Sequence, residues 1–168
     1  MKKFIKKVFR KCQLIKRWYF PPKLKNEIDV EVLSLLSPFK EEFLDSRFLE
    51  EDLLLKMGLN NEHLEEFPEE LHPYTGKGLL IWQYPNQLSQ LLVYLANLQN
   101  VRSYIEIGVR FGGNMLLVKR YLEGAYGYKL RVTGVDPRPN KTLKGIAVKE
   151  EIEYYNLRST SDKFRKIV

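Results

Sequence analysis

The stretch that most limits what this chain can fold into is residues 101–136. "SYIEIGV" is a short, nearly continuous apolar run, the pattern of a parallel strand buried on both faces. "GGNMLLVKRYLEG" follows as a helix that ends near Gly124. "KLRVTGVD", residues 129–136, is a second strand that finishes on Asp136. Strand, helix and strand in so short a length make a crossover unit, right-handed by default. A third strand is expected at "EIEYYNL", residues 151–157, and "SDKFRKIV" then opens a helix capped by Ser161. The fold class is therefore α/β, built on a parallel sheet.

In such sheets ligands bind beyond the carboxyl ends of the strands. Gly108 and Gly112 stand where the first strand turns into its helix, and glycine there lets backbone approach a ligand closely. Asp136 ends the second strand, where a carboxylate can accept hydrogen bonds from ribose hydroxyls. The dinucleotide fingerprint G-x-G-x-x-G fits poorly, because Arg110 stands where the middle glycine would fall. Glu106, two residues before Gly108, points to a different nucleoside cofactor.

"EIGVRFGG" resembles the first motif of class I S-adenosylmethionine-dependent methyltransferases, an acid followed by a glycine-rich turn. With "YTGKGLLIWQYPNQLSQLL", "VTGVDPRP" and "NLRSTSDKF" it is similar to the branch of cephalosporin hydroxylase-like and macrocin-type sugar O-methyltransferases, over about residues 74–166. The resemblance implies a Rossmann-like sheet and S-adenosylmethionine as cofactor. Glu106, Gly108 and Gly112 would line its methionine end and Asp136 would take the ribose. Ser159 and Ser161 would lie near the adenine or the cofactor's edge, and Gln83 and Gln87 would close the pocket. Arg110 joins the cofactor-binding set, although it departs from the superfamily turn. The implied activity is O-methyl transfer to a small-molecule or sugar acceptor. Each residue also has a plainer reading. Glu106 can cap a backbone group, Asp136 can open the turn "DPRP", and Arg110 can be a solvated loop cation. Ser159 and Ser161 can be capping residues, and Gln83 and Gln87 can be helix-start polars.

The resembling fold has seven strands, with the first pairing the second on one side and the fourth on the other. The fourth carries an acidic, histidine-containing segment associated with metal or catalysis. Here no such segment follows the third strand, so no catalytic residue is assigned, and a divalent metal belongs to the family without ligands in this sequence. The expectation is a half-domain, truncated after the third strand and inactive unless completed. Its apolar first strand would present an open edge, to be covered by an oligomer or a complementing chain.

Upstream, residues 28–66 read as short helices. Ser37-Pro38 reads as a helix start, Ser46 as the cap of "RFLEEDLLLKMG", and Gly58 as its stop. Phe48, Leu53, Leu54 and Leu55 read as core, and the neighbouring acids as a solvated face. "FPEELHPYTGKG" is a loop whose Gly76 and Gly78 could approach a phosphate. "PNQLSQLLVYLANLQ" is an amphipathic helix capped by Asn86, with Leu88, Leu91, Leu92, Leu95 and Leu98 as its apolar stripe. The domain reading is a tail at 1–25, a helical region and loop at 26–78, and the partial cofactor-binding domain at 79–168.

Charge is concentrated at the start. The net charge of +7 comes from residues 1–25, which hold ten Lys/Arg and no Asp/Glu; the rest holds 18 Lys/Arg against 21 Asp/Glu. That distribution is not that of a nucleic-acid binder. Phe4, Ile5, Val8, Phe9, Cys12, Ile15, Trp18 and Tyr19 form one helical stripe flanked by cations, suited to an anionic membrane surface or a partner, or to packing on the chain's own domain. No apolar stretch is long enough for a membrane span. A single cysteine, Cys12, excludes a disulfide framework and suggests a reducing, cytoplasmic setting, with peripheral membrane contact through residues 1–20. His63 and His72 read as loop residues. Two rivals stand beside the methyltransferase reading: a nicotinamide-dependent oxidoreductase, and a non-catalytic membrane-surface or partner-binding module acting through its tail.

Overall fold

The computed structural model describes residues 28–62 and 67–167. The basic tail and His63 lie outside these residues.

The described chain opens with two short 3-10 helices, Glu31–Leu36 and Glu41–Leu44. Between them Ser37 and Pro38 are joined by a cis peptide. Ser37 does not start a helix: it closes the first one, donating its N–H to the Ser34 carbonyl. Ser46–Phe48, Leu49–Leu53 and Leu54–Met57 then run on as one helix, α1, whose middle stretch is π-helical. Its cap is Asp45 rather than Ser46, because the Asp45 carboxylate reaches the N–H groups of Arg47 and Phe48. Gly58, at φ 90°, ends α1 as expected.

The segment read as a loop contains a 3-10 turn, Glu69–Tyr74, and bridges back to Leu59 through Thr75 and Ile81. Its glycine serves packing. A β-carbon on Gly78 would run into the Met57 carbonyl, and one on Gly58 into the Lys77 carbonyl. Helix α2, Pro85–Ala96, starts with Pro85 at its first position after Tyr84, so Asn86 lies inside the helix and caps nothing. Leu88, Ser89 and Leu92 face the core, while Leu91 and Leu98 stay exposed.

Three strands follow: β1 (Ser103–Ile107), β2 (Arg131–Val135) and β3 (Ile152–Tyr155). They are parallel, in the order β1-β2-β3, so β1 is an edge of this sheet. The register sets Tyr104 beside Val132 and Glu106 beside Gly134, on one face. Helix α3, Gly113–Tyr126, packs there: a β-carbon on Gly134 would strike the Met115 sulfur. The other face of β1 carries Ile105 and Ile107, 40% and 57% exposed. β1 is therefore not buried on both faces, because its edge position leaves that side uncovered.

α3 runs past Gly124 to Tyr126 and is closed by Gly127 at φ 70°. Gly124 is mid-helix because the Phe39 ring lies against it, leaving no room for a β-carbon. Helix α4, Lys141–Lys149, went unforeseen. The Asn140 side chain caps it, and it buries only Leu143 and Ala147, too sparse a pattern to read. Helix α5, Asp162–Arg165, is capped by Ser161 as expected.

One core joins the helical region to the sheet. Phe39 meets Phe43 and Tyr121 edge-on, and the buried Tyr121 hydroxyl donates to the Phe43 carbonyl at 2.6 Å. Lys119, 1% exposed, binds both carboxylate oxygens of Glu123, one of which also accepts the Leu130 N–H. Among the described residues no helix is long and apolar enough to cross a membrane.

Two predictions follow from packing. A β-carbon on Gly113 would overlap the Leu79 carbonyl, so Gly113→Ala should cost at least about 2 kcal/mol. Gly145→Ala, in α4 with nothing within 4 Å, should stabilise by about 0.5–1 kcal/mol. Urea unfolding of both variants checks the pair. Glu123→Ala should cost about 3 kcal/mol, since it leaves the buried Lys119 ammonium without its counter-ion, and replacing both residues by apolar ones should recover most of the loss.

Candidate functional site

β1 and β2 end side by side, and the turns that leave them are tied together by one carboxylate. Asp136, 5% exposed, accepts the Arg110 N–H on one oxygen at 2.8 Å and the Arg138 N–H on the other at 2.7 Å. Gly108 donates its N–H across to the Val135 carbonyl. Arg110 takes a left-handed conformation, φ 50°, and its carbonyl accepts from the Asn140 side chain. That conformation is strained for a residue with a β-carbon.

These turns, with the start of α3 and the segment before α2, enclose a cleft of about 430 Å³. Its lining includes Gln83, Glu106, Gly108, Arg110, Gly112 and Asp136, six of the nine residues proposed around the cofactor. Ser159 is exposed and outside the lining. Gln87 and Ser161 are outside it too; Ser161 spends its hydroxyl on the α5 cap. Gly76 and Gly78 also take no part in the lining.

The two glycines of the turn do different work. Gly112, φ 89°, has the Leu143 side chain where a β-carbon would go, so it serves contact between α3 and α4. Gly108, φ 82°, has nothing within 4 Å of that position. Its conformation favours glycine, and the space beside it is open. At the start of α3, Gly112 offers no side-chain cap, so the first N–H groups of the helix have no side chain of that residue to bind.

Glu106 stands on β1 with Tyr104, two residues earlier on the same face. The Tyr104 hydroxyl donates to a Glu106 oxygen at 2.7 Å, and among the described residues no cation pairs with this carboxylate. Burial pushes the Glu106 carboxyl up to about 7, and the tyrosine hydrogen bond offsets only part of that. Burial, with Glu106 as neighbour, also raises Tyr104.

Arg110 is no solvated cation. Its guanidinium lies over the Trp82 ring at 3.8 Å, with the Phe111 ring at 5.4 Å, and it is ion-paired to Glu62. Its Nε is buried without a hydrogen-bond partner. Burial lowers its pKa, and the charge of Arg138 adds to that effect.

Glu62, Trp82, Tyr104 and Arg138 are the parts of this site that the sequence reading omitted. Tyr104 and Arg138 had a signal: each lies two residues from a singled-out acid, Tyr104 on the same strand face and Arg138 in the same turn. Glu62 and Trp82 had none, since they reach Arg110 only through the fold. Among the described residues no group of three or more His, Cys, Asp or Glu could hold a metal ion.

Because the Glu106 pKa is raised, the folded protein holds a proton that the unfolded chain loses above the ordinary carboxylate pKa. Stability therefore falls as pH rises from about 4.3 to about 7, and the loss is complete above that. Glu106→Gln should remove this slope. Its melting temperature relative to the parent should be higher at pH 8 than at pH 5, by an amount equivalent to about 2 kcal/mol. Thermal melts at both pH values check this.

No family model, no curated protein and no solved structure matches the chain.

Proposed function

We propose that this cleft binds S-adenosylmethionine in a Rossmann-like setting, and that the chain serves O-methyl transfer to a small molecule or sugar. The observation that carries the reading is Glu106. It is a desolvated carboxylate with no cation among the described residues, set beside open space at Gly108 and facing the same cleft as the strand-end acid Asp136. Such a carboxylate gains most from a ligand that brings a positive charge.

The residues present fit that cofactor on three counts. Glu106 would hold the ammonium of its methionine part. The open position at Gly108 leaves room for the chain of the ligand to pass. Each Asp136 oxygen accepts one backbone N–H and keeps a second acceptor site, which suits a ribose hydroxyl. When bound, S-adenosylmethionine supplies a methyl group made electrophilic by its sulfonium. The described residues of the cleft would bind and orient the cofactor, and Trp82 and Phe111 would exclude water from it. None is assigned as the base that takes the acceptor's proton.

Glu106 also fixes a test specific to this reading. A cationic ligand favours the ionised carboxylate, so its binding at pH 6 should release a proton, and affinity should rise as pH passes from 5 to 8. Titration calorimetry of S-adenosylmethionine in buffers of different ionisation enthalpy measures the release. Glu106→Gln should abolish it and weaken binding about tenfold. No saturable binding by the folded chain would overturn the proposal. Tight NADH binding in its place would favour the oxidoreductase.

A further inference from the structure

The cleft is lined by two arginines as well as two acids, and the cofactor reading uses only the acids fully. Arg138 follows Asp136 in the turn after β2. Its backbone is held on both sides, the N–H by Asp136 and the carbonyl by the Tyr154 hydroxyl at 3.2 Å. Its side chain is exposed and forms no ion pair among the described residues. Arg110 is held from the other strand's turn. Glu62 engages one terminal nitrogen of its guanidinium, Trp82 supports its flat face, and its Nε remains an unsatisfied donor. The same carboxylate, Asp136, anchors both backbones. Two arginines thus line one cleft from adjacent turns, Arg110 with its guanidinium held and Arg138 with its backbone held.

Like charges brought together by the backbone are unfavourable unless something negative joins them. Beyond burial, the charge of Arg138 opposes that of Arg110, while Asp136 and the ion-paired Glu62 favour it. A planar guanidinium presents a fork of donors that matches phosphate oxygens, and stacking on an aromatic ring holds that fork in place. Arg110 offers the stacked fork and Arg138 an exposed one.

We propose that Arg110 and Arg138 form an anion subsite in this cleft, and that the acceptor molecule carries a phosphate held there. The subsite stands on the arginines alone; its assignment to the acceptor rests on the cofactor reading. It places the charged end of the acceptor beside the turns after β1 and β2. A bound phosphate would draw on the Arg138 fork and on the edge of the Arg110 guanidinium that Glu62 does not engage.

The experiment is titration of the full chain with inorganic phosphate, followed by calorimetry or by chemical-shift changes, at constant ionic strength. Saturable binding is expected, weakened about tenfold or more by Arg138→Gln and partly retained in Arg138→Lys. Among the described residues the Arg138 side chain has no ion-pair partner to lose, so Arg138→Gln should fold normally, with a melting temperature near the parent's. Phosphate binding that persists when S-adenosylhomocysteine saturates the chain supports the acceptor assignment. Phosphate excluded by S-adenosylhomocysteine overturns it, the anion site then belonging to the nucleotide ligand. Phosphate binding insensitive to Arg138→Gln, or none, overturns the subsite itself. A chain that binds phosphate through Arg138 but no S-adenosylhomocysteine keeps the subsite and removes the cofactor reading and the acceptor assignment with it. Equal binding of acetate and phosphate would overturn the choice of phosphate.

Discussion

The arrangement of the site depends on the Asp136 carboxylate. Two turns from different strands end at it, each through a backbone N–H, and the side chain is almost fully buried. A carboxylate that accepts backbone hydrogen bonds in a region of low dielectric holds them strongly. It keeps Arg110 in a left-handed conformation, and Asn140 reinforces this by donating to the Arg110 carbonyl. Through that conformation the guanidinium reaches Trp82 and Glu62. Without the carboxylate, the two turns would lose the Arg110–Asp136 bond and keep the Gly108–Val135 and Asn140–Arg110 bonds between them.

Electrostatically the cleft carries both signs of charge. Glu106 is desolvated and has no cation among the described residues. Two arginines line the same cleft, Arg110 ion-paired to Glu62 and Arg138 without an ion pair among the described residues. A ligand that carries both signs, or two ligands of opposite sign, would relieve both. This is a statement about charge and burial, and it limits the ligands worth testing more tightly than the fold does, since many chemistries use such sheets.

Much of the fold was legible because the relevant signals are local. Three strands and α3 followed from apolar runs and from the glycine after β1, and Ser161 and Gly58 marked helix ends correctly. The misses have separate physical causes. Asn86 and Ser46 lost their caps to neighbours: Pro85 already takes the first helical position, and Asp45 reaches the N–H groups one residue earlier. Gly124 suggested a helix end but answers to the Phe39 ring, a contact across the fold. β1 looked buried on both faces because the run is apolar, whereas exposure depends on where the strand sits in the sheet. The site was legible where spacing along one strand or turn carried it, as for Glu106, Gly108 and Asp136. Glu62 and Trp82 come from segments whose approach no local pattern encodes, and the placement of Ser159, outside the cleft lining, is likewise set by the fold.

The shared core has a consequence for how this chain can be handled. Phe39 and Phe43 belong to the helical region, yet their rings and a backbone carbonyl complete the environment of Tyr121 on α3. Leu79, at the junction, touches the first residue of α3 so closely that only glycine fits. A fragment cut at the start of the strand region would carry α3 with one apolar side bare and the Tyr121 hydroxyl without its acceptor. The boundary drawn between helices and sheet is thus a change of architecture across one shared hydrophobic core, and a chain that keeps both sides keeps that core intact.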